Sequence, residues 1–94
     1  MNYYMNSRTM NNINMICLKL YLKKFIYVIT ISNSNVIFNV DKNNDKNIHF
    51  IIEYNFKTRK EINELFMYKI IQNEKISRFN RIEPLLKYIE IIDK

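Results

Sequence analysis

The chain carries few of the side chains that perform acid–base or covalent chemistry. His49 is its only histidine and Cys17 its only cysteine. A catalytic histidine needs a second group to orient it, and the sequence places no such partner beside His49. Cys17 is more typical of a small packing residue than of an activated nucleophile. The sequence therefore predicts a protein that is not an enzyme and that takes no cofactor.

The loop 41–47 has an acid or an amide at every second position, as the start of a calcium-binding loop does. These residues are Asp41, Asn43, Asp45 and Asn47. Such a loop needs glycine at its sixth position and an acid at its twelfth, where this chain has Lys46 and Ile52. Loops that cradle phosphates also need glycine for close backbone approach, and the chain contains none. We therefore predict no metal site, no P-loop and no dinucleotide-binding fingerprint.

Basic side chains interleaved with aromatic ones give the main functional signal. They surround Tyr21, the predicted start of a helix at Thr58, and Phe79. This arrangement suits a nucleic-acid backbone with stacked bases. The residues that we predict to contact nucleic acid are Lys19, Tyr21, Lys23, Lys24, Lys57, Arg59, Lys60, Arg78 and Arg81.

The formal net charge of +6 also favours an acidic partner such as RNA. Composition supplies a competing explanation, because glycine and alanine are absent and residues with A/T-rich codons replace them. An A/T-rich genome raises the lysine content without any partner. The sequence thus predicts a small basic protein associated with RNA, such as a component of a ribonucleoprotein. The first alternative is a structural or protein-interaction subunit, with a homo-oligomer or another protein as partner. The second is a lineage-restricted protein of no defined function.

For the protein-interaction alternative, the predicted contact surface is either Ile51 beside His49 or the outer side of the last helix. Both positions combine an apolar side chain with a predicted solvent-facing side of an element. Exposed apolar side chains of this kind mark interaction surfaces when they are contiguous.

The elements that position these residues begin with three strands, predicted at Phe25–Ile31, Val36–Val40 and Ile48–Tyr54. They are rich in β-branched and aromatic residues, and short links between them predict an antiparallel meander. The preceding segment, Met15–Leu22, is ambiguous: its alternation favours a fourth strand, and its apolar residues also fit one face of a helix. The single cysteine excludes an intrachain disulfide.

Two helices complete the prediction. Thr58 and Glu61 match a capping box, so a helix is expected from Thr58 to about Asn73. A second helix is expected over 81–92, capped by Asn80, with Pro84 tolerated in its first turn. The predicted fold is an α+β domain in which a small antiparallel three-stranded, or four-stranded, meander is followed by two C-terminal helices. Residues 1–14 are predicted to form a loosely ordered Asn-rich arm, and 15–94 a single domain.

The order of the segments FIYVITI, NVIFNV, NIHFIIEY and KTRKEINELF resembles that of two RNA-associated modules. These are the Alu-domain proteins of the signal recognition particle and the double-stranded-RNA-binding domains. The resemblance implies three strands followed by a helix, and association with RNA. The glycine-bearing loops of those families do not exist in this chain, and a helix after Pro84 lies outside their pattern. We therefore transfer no site residue and assign no family.

The lysines also bear on location. Lys19, Lys23 and Lys24 interrupt the most apolar N-terminal segment, so no run reaches the length of a membrane span. No small-residue cleavage site follows that segment, so we predict no secretory signal. We expect an intracellular protein, in the cytoplasm or in an organelle matrix.

Overall fold

A computed structural model describes residues 6–42, 47–57 and 66–92. Within these ranges the chain forms one antiparallel sheet with strand order β1-β2-β3-β4-β5, preceded by one helix and followed by another. The elements are α1 (Ser7–Leu22), β1 (Ile26–Ile31), β2 (Asn35–Lys42), β3 (Ile48–Asn55), β4 (Tyr68–Gln72), β5 (Lys75–Phe79) and α2 (Ile82–Ile92). Each strand therefore pairs with its neighbours in sequence, so the sheet is a simple meander.

The core lies between one face of the sheet and the two helices. Side chains alternate between the faces of a strand, so every second residue of the three central strands points into the core. The helices contribute residues spaced three and four apart, which form one stripe on each helix. The buried apolar residues are Ile13, Ile16, Leu20, Phe25, Val36, Phe38, Val40, Phe50, Ile52, Tyr54, Tyr68, Ile70, Ile82, Leu85 and Ile89.

Both ends of α1 are closed by hydrogen bonds. The Asn6 side chain accepts from the backbone N–H of Thr9 at 2.8 Å, which caps the first turn. At the other end the Phe25 N–H donates to the Leu20 carbonyl at 2.9 Å, and the Lys24 N–H donates to the Tyr21 carbonyl at 3.0 Å. This is the Schellman pattern, and it places Lys24 in the left-handed region with φ of 63°. The chain therefore passes from α1 into β1 within three residues.

The predicted fold is wrong in two respects. The sheet has five strands rather than three or four, and one helix precedes it while one follows it. Met15–Leu22 belongs to α1 and not to a fourth strand, because Ile16 and Leu20 pack with Ile13 in the core at helical spacing. The predicted arm over 1–14 overlaps this helix from Ser7 onward.

The predicted helix from Thr58 to about Asn73 also differs from the structure. Its last part is β4, which pairs with β3 through Tyr54–Tyr68 and Ile52–Ile70. A turn at Asn73 and Glu74 then leads into β5. The capping box at Thr58 and Glu61 lies outside the described residues.

The three predicted strands are confirmed as β1, β2 and β3, with antiparallel pairing throughout. The final helix is also confirmed as α2, which starts one residue after the predicted position. In the described part of the chain, neither helix combines the length and the apolar character that crossing a bilayer requires.

Candidate functional site

The sheet has a second face, opposite the core, which we call the open face. In the described residues both helices pack on the core side, and strand register assigns the remaining side chains to the open face. Its residues are Ile26, Val28, Thr30, Asn35, Ile37, Asn39, Asp41, His49, Ile51, Glu53, Asn55, Lys69, Ile71, Ile76 and Arg78.

An aliphatic row crosses the middle of the open face. It consists of Val28, Ile51, Ile71 and Ile76, of which Ile51 is opposite Ile71 and Ile71 is opposite Ile76. Asn39 lies between Val28 and Ile51 in the same row. Val28 is 65% exposed and Ile76 is 43% exposed. Ile51 and Ile71 are half-buried, and Asn39 separates Val28 from the three adjacent isoleucines. Exposed apolar side chains grouped on one face make that face a candidate interaction site.

Polar side chains border the aliphatic row on both sides. On one side Asp41 and His49 face each other, with Asp41 Oδ1 and His49 Nδ1 2.8 Å apart. On the other side Glu53, Lys69 and Arg78 are consecutive neighbours across β3, β4 and β5. Two positive groups therefore stand side by side next to the aliphatic row.

A cavity of about 700 Å³, which we call the end cavity, lies where the N-termini of α1 and α2 meet the sheet. Arg8 and Arg81 line it, together with Glu83 and the stacked rings of Tyr54 and Tyr68, whose centroids are 4.6 Å apart. The end cavity is thus lined by two basic side chains and lies at the positive ends of two helix dipoles. The carboxylate of Glu83 offsets part of this positive charge.

The tyrosines of the end cavity contact each other and α1. Asn12 Nδ2 donates to the Tyr54 hydroxyl at 3.1 Å, and the Tyr54 ring stacks on the Tyr68 ring. Burial raises the pKa of Tyr68, and the neighbouring Tyr54 raises it further. Tyr68 therefore stays protonated well into the alkaline range.

The structure separates the residues that the sequence predicts to contact nucleic acid. Lys19, Tyr21, Lys23 and Lys24 lie at the C-terminal end of α1, beside the start of β1. Lys57 follows β3 at the opposite end of the sheet, since β3 runs from the Asp41–His49 pair to the Asn35–Asn55 pair. At about 3.3 Å per residue, the ends of this strand are about 23 Å apart.

Several of these basic residues have other roles or positions. Lys19 and Lys23 form ion pairs with Glu90 of α2, at 3.0 and 3.9 Å. Arg78 lies on the open face and Arg81 in the end cavity. Arg59 and Lys60 lie outside the described residues. Among the described residues, the group at the end of α1, Lys57, Arg78 and Arg81 therefore lie in separate places and form no single basic patch, although Arg81 lines the same cavity as Arg8.

Sequence reasoning identified Ile51 beside His49 as a possible contact surface, and the structure places both on the open face. It missed Arg8, Val28, Ile71 and Ile76. No local sequence pattern marks Arg8 as a candidate binding residue, because the end cavity forms only where the N-termini of α1 and α2 come together. The apolar runs IYVITI and YKII did indicate the aliphatic row, because a strand with these sequences has apolar residues on both of its faces.

The described residues contain no group of three or more histidine, cysteine, aspartate or glutamate side chains that could hold a metal ion. The thiol of Cys17 on α1 neighbours the hydroxyl of Tyr27 on β1 and raises the pKa of Tyr27. This cysteine therefore connects α1 to the sheet.

In comparisons with known proteins, no family model, no curated protein and no solved structure matches this chain.

Proposed function

We propose that this protein is a non-catalytic interaction subunit that binds a partner protein through the open face of its sheet. The observation that carries the proposal is the aliphatic row of Val28, Ile51, Ile71 and Ile76. Removing such side chains from water contributes about 25 cal/mol of binding free energy per Å² of apolar surface. A partner with a matching apolar surface would therefore bind at the row.

Charge beside the row specifies the chemistry of the partner. Lys69 and Arg78 are neighbours on β4 and β5, at the margin of the row. A carboxylate of the partner opposite these two groups fixes orientation and excludes basic surfaces. The partner is therefore a protein with an apolar patch bordered by acidic residues.

The side chains of the open face favour a protein over RNA as its ligand. Proteins that bind single-stranded RNA on a sheet stack bases on aromatic rings. Among the described residues of the open face, His49 carries the one aromatic ring, and it lies at the margin of the aliphatic row. Aliphatic side chains offer bases no stacking platform.

Substitution of Ile71 tests the proposal. Ile71→Lys places a charge in the middle of the aliphatic row without disturbing the core, because the side chain lies on the open face. The matched control is Ile91→Lys on α2, where the isoleucine is 55% exposed on the helical side of the molecule. A partner obtained by affinity capture is then purified and its complex is reconstituted with each variant.

We expect the reconstituted complex to be at least about tenfold weaker with Ile71→Lys, as for a residue at the centre of an interface. Ile91→Lys should bind within about twofold of the wild type. Equal binding by wild type and Ile71→Lys would show that the partner uses another surface.

Association with RNA is a second candidate, favoured by the end cavity. Arg8 and Arg81 line this cavity at the N-termini of both helices, where backbone N–H groups and helix dipoles favour a phosphate. Lys57 lies at the same end of the sheet. A phosphate group of an RNA backbone is the ligand that these groups suit.

The test is fluorescence anisotropy with single-stranded and duplex RNA between about 50 and 200 mM KCl. Paired substitutions Arg8→Gln and Arg81→Gln should abolish the salt-dependent part of binding. The control pair Lys19→Gln and Lys23→Gln removes the same charge at the Glu90 ion pairs and should retain binding. A salt slope near zero, or equal loss from both pairs, would reject the end cavity as an RNA site.

A further inference from the structure

Within the described residues, β1 forms one edge of the sheet and lacks two of the usual protections against pairing with another strand. β1 reads IYVITI and contains no charged residue and no proline. The opposite edge strand, β5, carries Lys75 and Arg78. Charged side chains on an edge strand oppose edge-to-edge pairing, so only β5 is protected in this way.

Backbone geometry shows which groups of β1 are available. The Ser32 N–H donates to the Asn35 carbonyl at 2.9 Å, which makes this residue pair a hydrogen-bonded one. In an antiparallel ladder such pairs alternate, so Thr30, Val28 and Ile26 bond to β2. The N–H and C=O groups of Tyr27, Ile29 and Ile31 then point away from β2, toward the edge.

The helix above this edge also presents apolar surface. Tyr27 of β1 contacts Cys17 of α1, so the flank of α1 that carries Cys17 lies over the β1 edge. Tyr21 is one turn further along the same flank and is 72% exposed, and Leu18 beside it is also exposed. The β1 edge therefore offers unpaired backbone groups in the sheet layer and apolar side chains in the helix layer.

We propose that β1 pairs antiparallel with the β1 strand of a second copy of this chain, around a two-fold axis close to Val28. The two sheets then form one continuous sheet, and the α1 flanks carrying Tyr21 meet above it. The inference is independent of the proposed function, because pairing at the edge leaves both open faces uncovered.

Charge distribution favours a second copy as the occupant of this edge. Antiparallel pairing about Val28 places Ile26 opposite Thr30 of the second copy, and Lys24 opposite Ser32 of the second copy. No two charged side chains therefore face each other at the new junction, although each copy carries a net charge of +6. A two-fold axis also makes one uncharged strand complementary to itself.

Disulfide cross-linking tests the proposal in the full chain. Cys17 is first replaced by Ser, and Val28→Cys or Ile76→Cys is then introduced; both positions are exposed on the open face of an edge strand. In the proposed dimer the two Val28 positions form a non-hydrogen-bonded pair with Cα atoms about 4.5 Å apart, which a disulfide can bridge. The two Ile76 positions are nine strand spacings apart, about 43 Å.

We expect the Val28→Cys variant to form a covalent dimer under mild oxidation and the Ile76→Cys variant to stay monomeric on non-reducing gels. Circular dichroism verifies that both variants are folded. Equal cross-linking of the two variants, or cross-linking of Ile76→Cys alone, would overturn the proposal in favour of face-to-face contact. Absence of cross-linking in both, with a monomer by light scattering, would overturn it as well. Ile71→Lys should leave the cross-link unchanged, which separates this result from that for partner binding.

Discussion

Ile51 on β3 and Ile71 on β4 face each other on the open side of the sheet. Ile52 follows Ile51 on β3 and Ile70 precedes Ile71 on β4. These two residues form the corresponding pair on the buried face. Strands with apolar residues on both faces are typical of sheets covered on both sides. The two pairs therefore give β3 and β4 apolar side chains on both faces, which is the basis of the proposed protein-binding surface.

Threonine substitutions distinguish the two faces. Ile71→Thr keeps a β-branched side chain on the half-buried face, so we expect it to lower the free energy of unfolding by less than about 1 kcal/mol. Ile70→Thr puts a hydroxyl into the core and should cost about 2 to 4 kcal/mol. Urea unfolding measures both. Equal losses would mean that Ile71 is packed as tightly as Ile70 within the single chain.

Glycine at position 24 should stabilise the protein. Lys24 has φ of 63° at the end of α1, a conformation that costs an L-amino acid about 1 kcal/mol and costs glycine little. Lys24→Gly is therefore expected to raise the free energy of unfolding by about 0.5 to 1 kcal/mol. Lys23→Gly is the control, because Lys23 has φ of −85° and gains nothing from the change. Thermal unfolding that showed equal effects for both would contradict this explanation.

The β4–β5 turn offers a second such position. Asn73 and Glu74 both have positive φ, 50° and 67°, as in a type I′ turn, for which Asn-Gly is the preferred pair. Glu74→Gly should stabilise the hairpin by about 1 kcal/mol. Lys75→Gly, one residue later and within β5, should instead destabilise it. A loss of stability from Glu74→Gly would show that the glutamate side chain makes a stabilising contact that exceeds the backbone cost.

The parts of the fold that could be predicted are those with a clear apolar pattern or a recognisable turn sequence. β1 to β3 and α2 follow from apolar patterning and from the turn residues Asn33 and Ser34, and their prediction is confirmed. The β4–β5 hairpin was missed because Asn73-Glu74 lacks the glycine that normally marks a two-residue turn. The helical character of Met15–Leu22 was obscured because its apolar residues fit both periods, and tertiary packing of Ile16 and Leu20 decides between them.

The candidate site was less predictable than the fold. Ile51 beside His49 was recognised as a possible surface from the alternation within one strand. The aliphatic row depends on the register of four strands, and two of them, β4 and β5, lie in segments where the sequence predicted no strand. The basic residues were identified individually, but the sequence alone could not show that Lys24 and Lys57 lie at opposite ends of the sheet.

Alkaline pH should reduce stability through Tyr68. Burial holds the pKa of folded Tyr68 above its ordinary value of 10.0. Above about pH 10 the unfolded chain has lost this proton and the folded chain retains it, so stability falls by up to about 1.4 kcal/mol per pH unit. Below pH 10 both states are protonated and the contribution is fully present. Tyr68→Phe should make the decline above pH 10 shallower in urea unfolding at a series of pH values. Identical slopes for both proteins would contradict this assignment.

The open face as a protein-binding surface is tested most directly by site-specific photo-cross-linking in the cells that produce the protein. A photoreactive phenylalanine derivative is placed at position 71 on the open face or at position 91 on α2. We predict that position 71 yields a discrete cross-linked protein species, which Lys69→Glu with Arg78→Glu abolishes, and that position 91 yields none. A cross-link from position 91 alone, or equal cross-linking from both positions, would contradict the account.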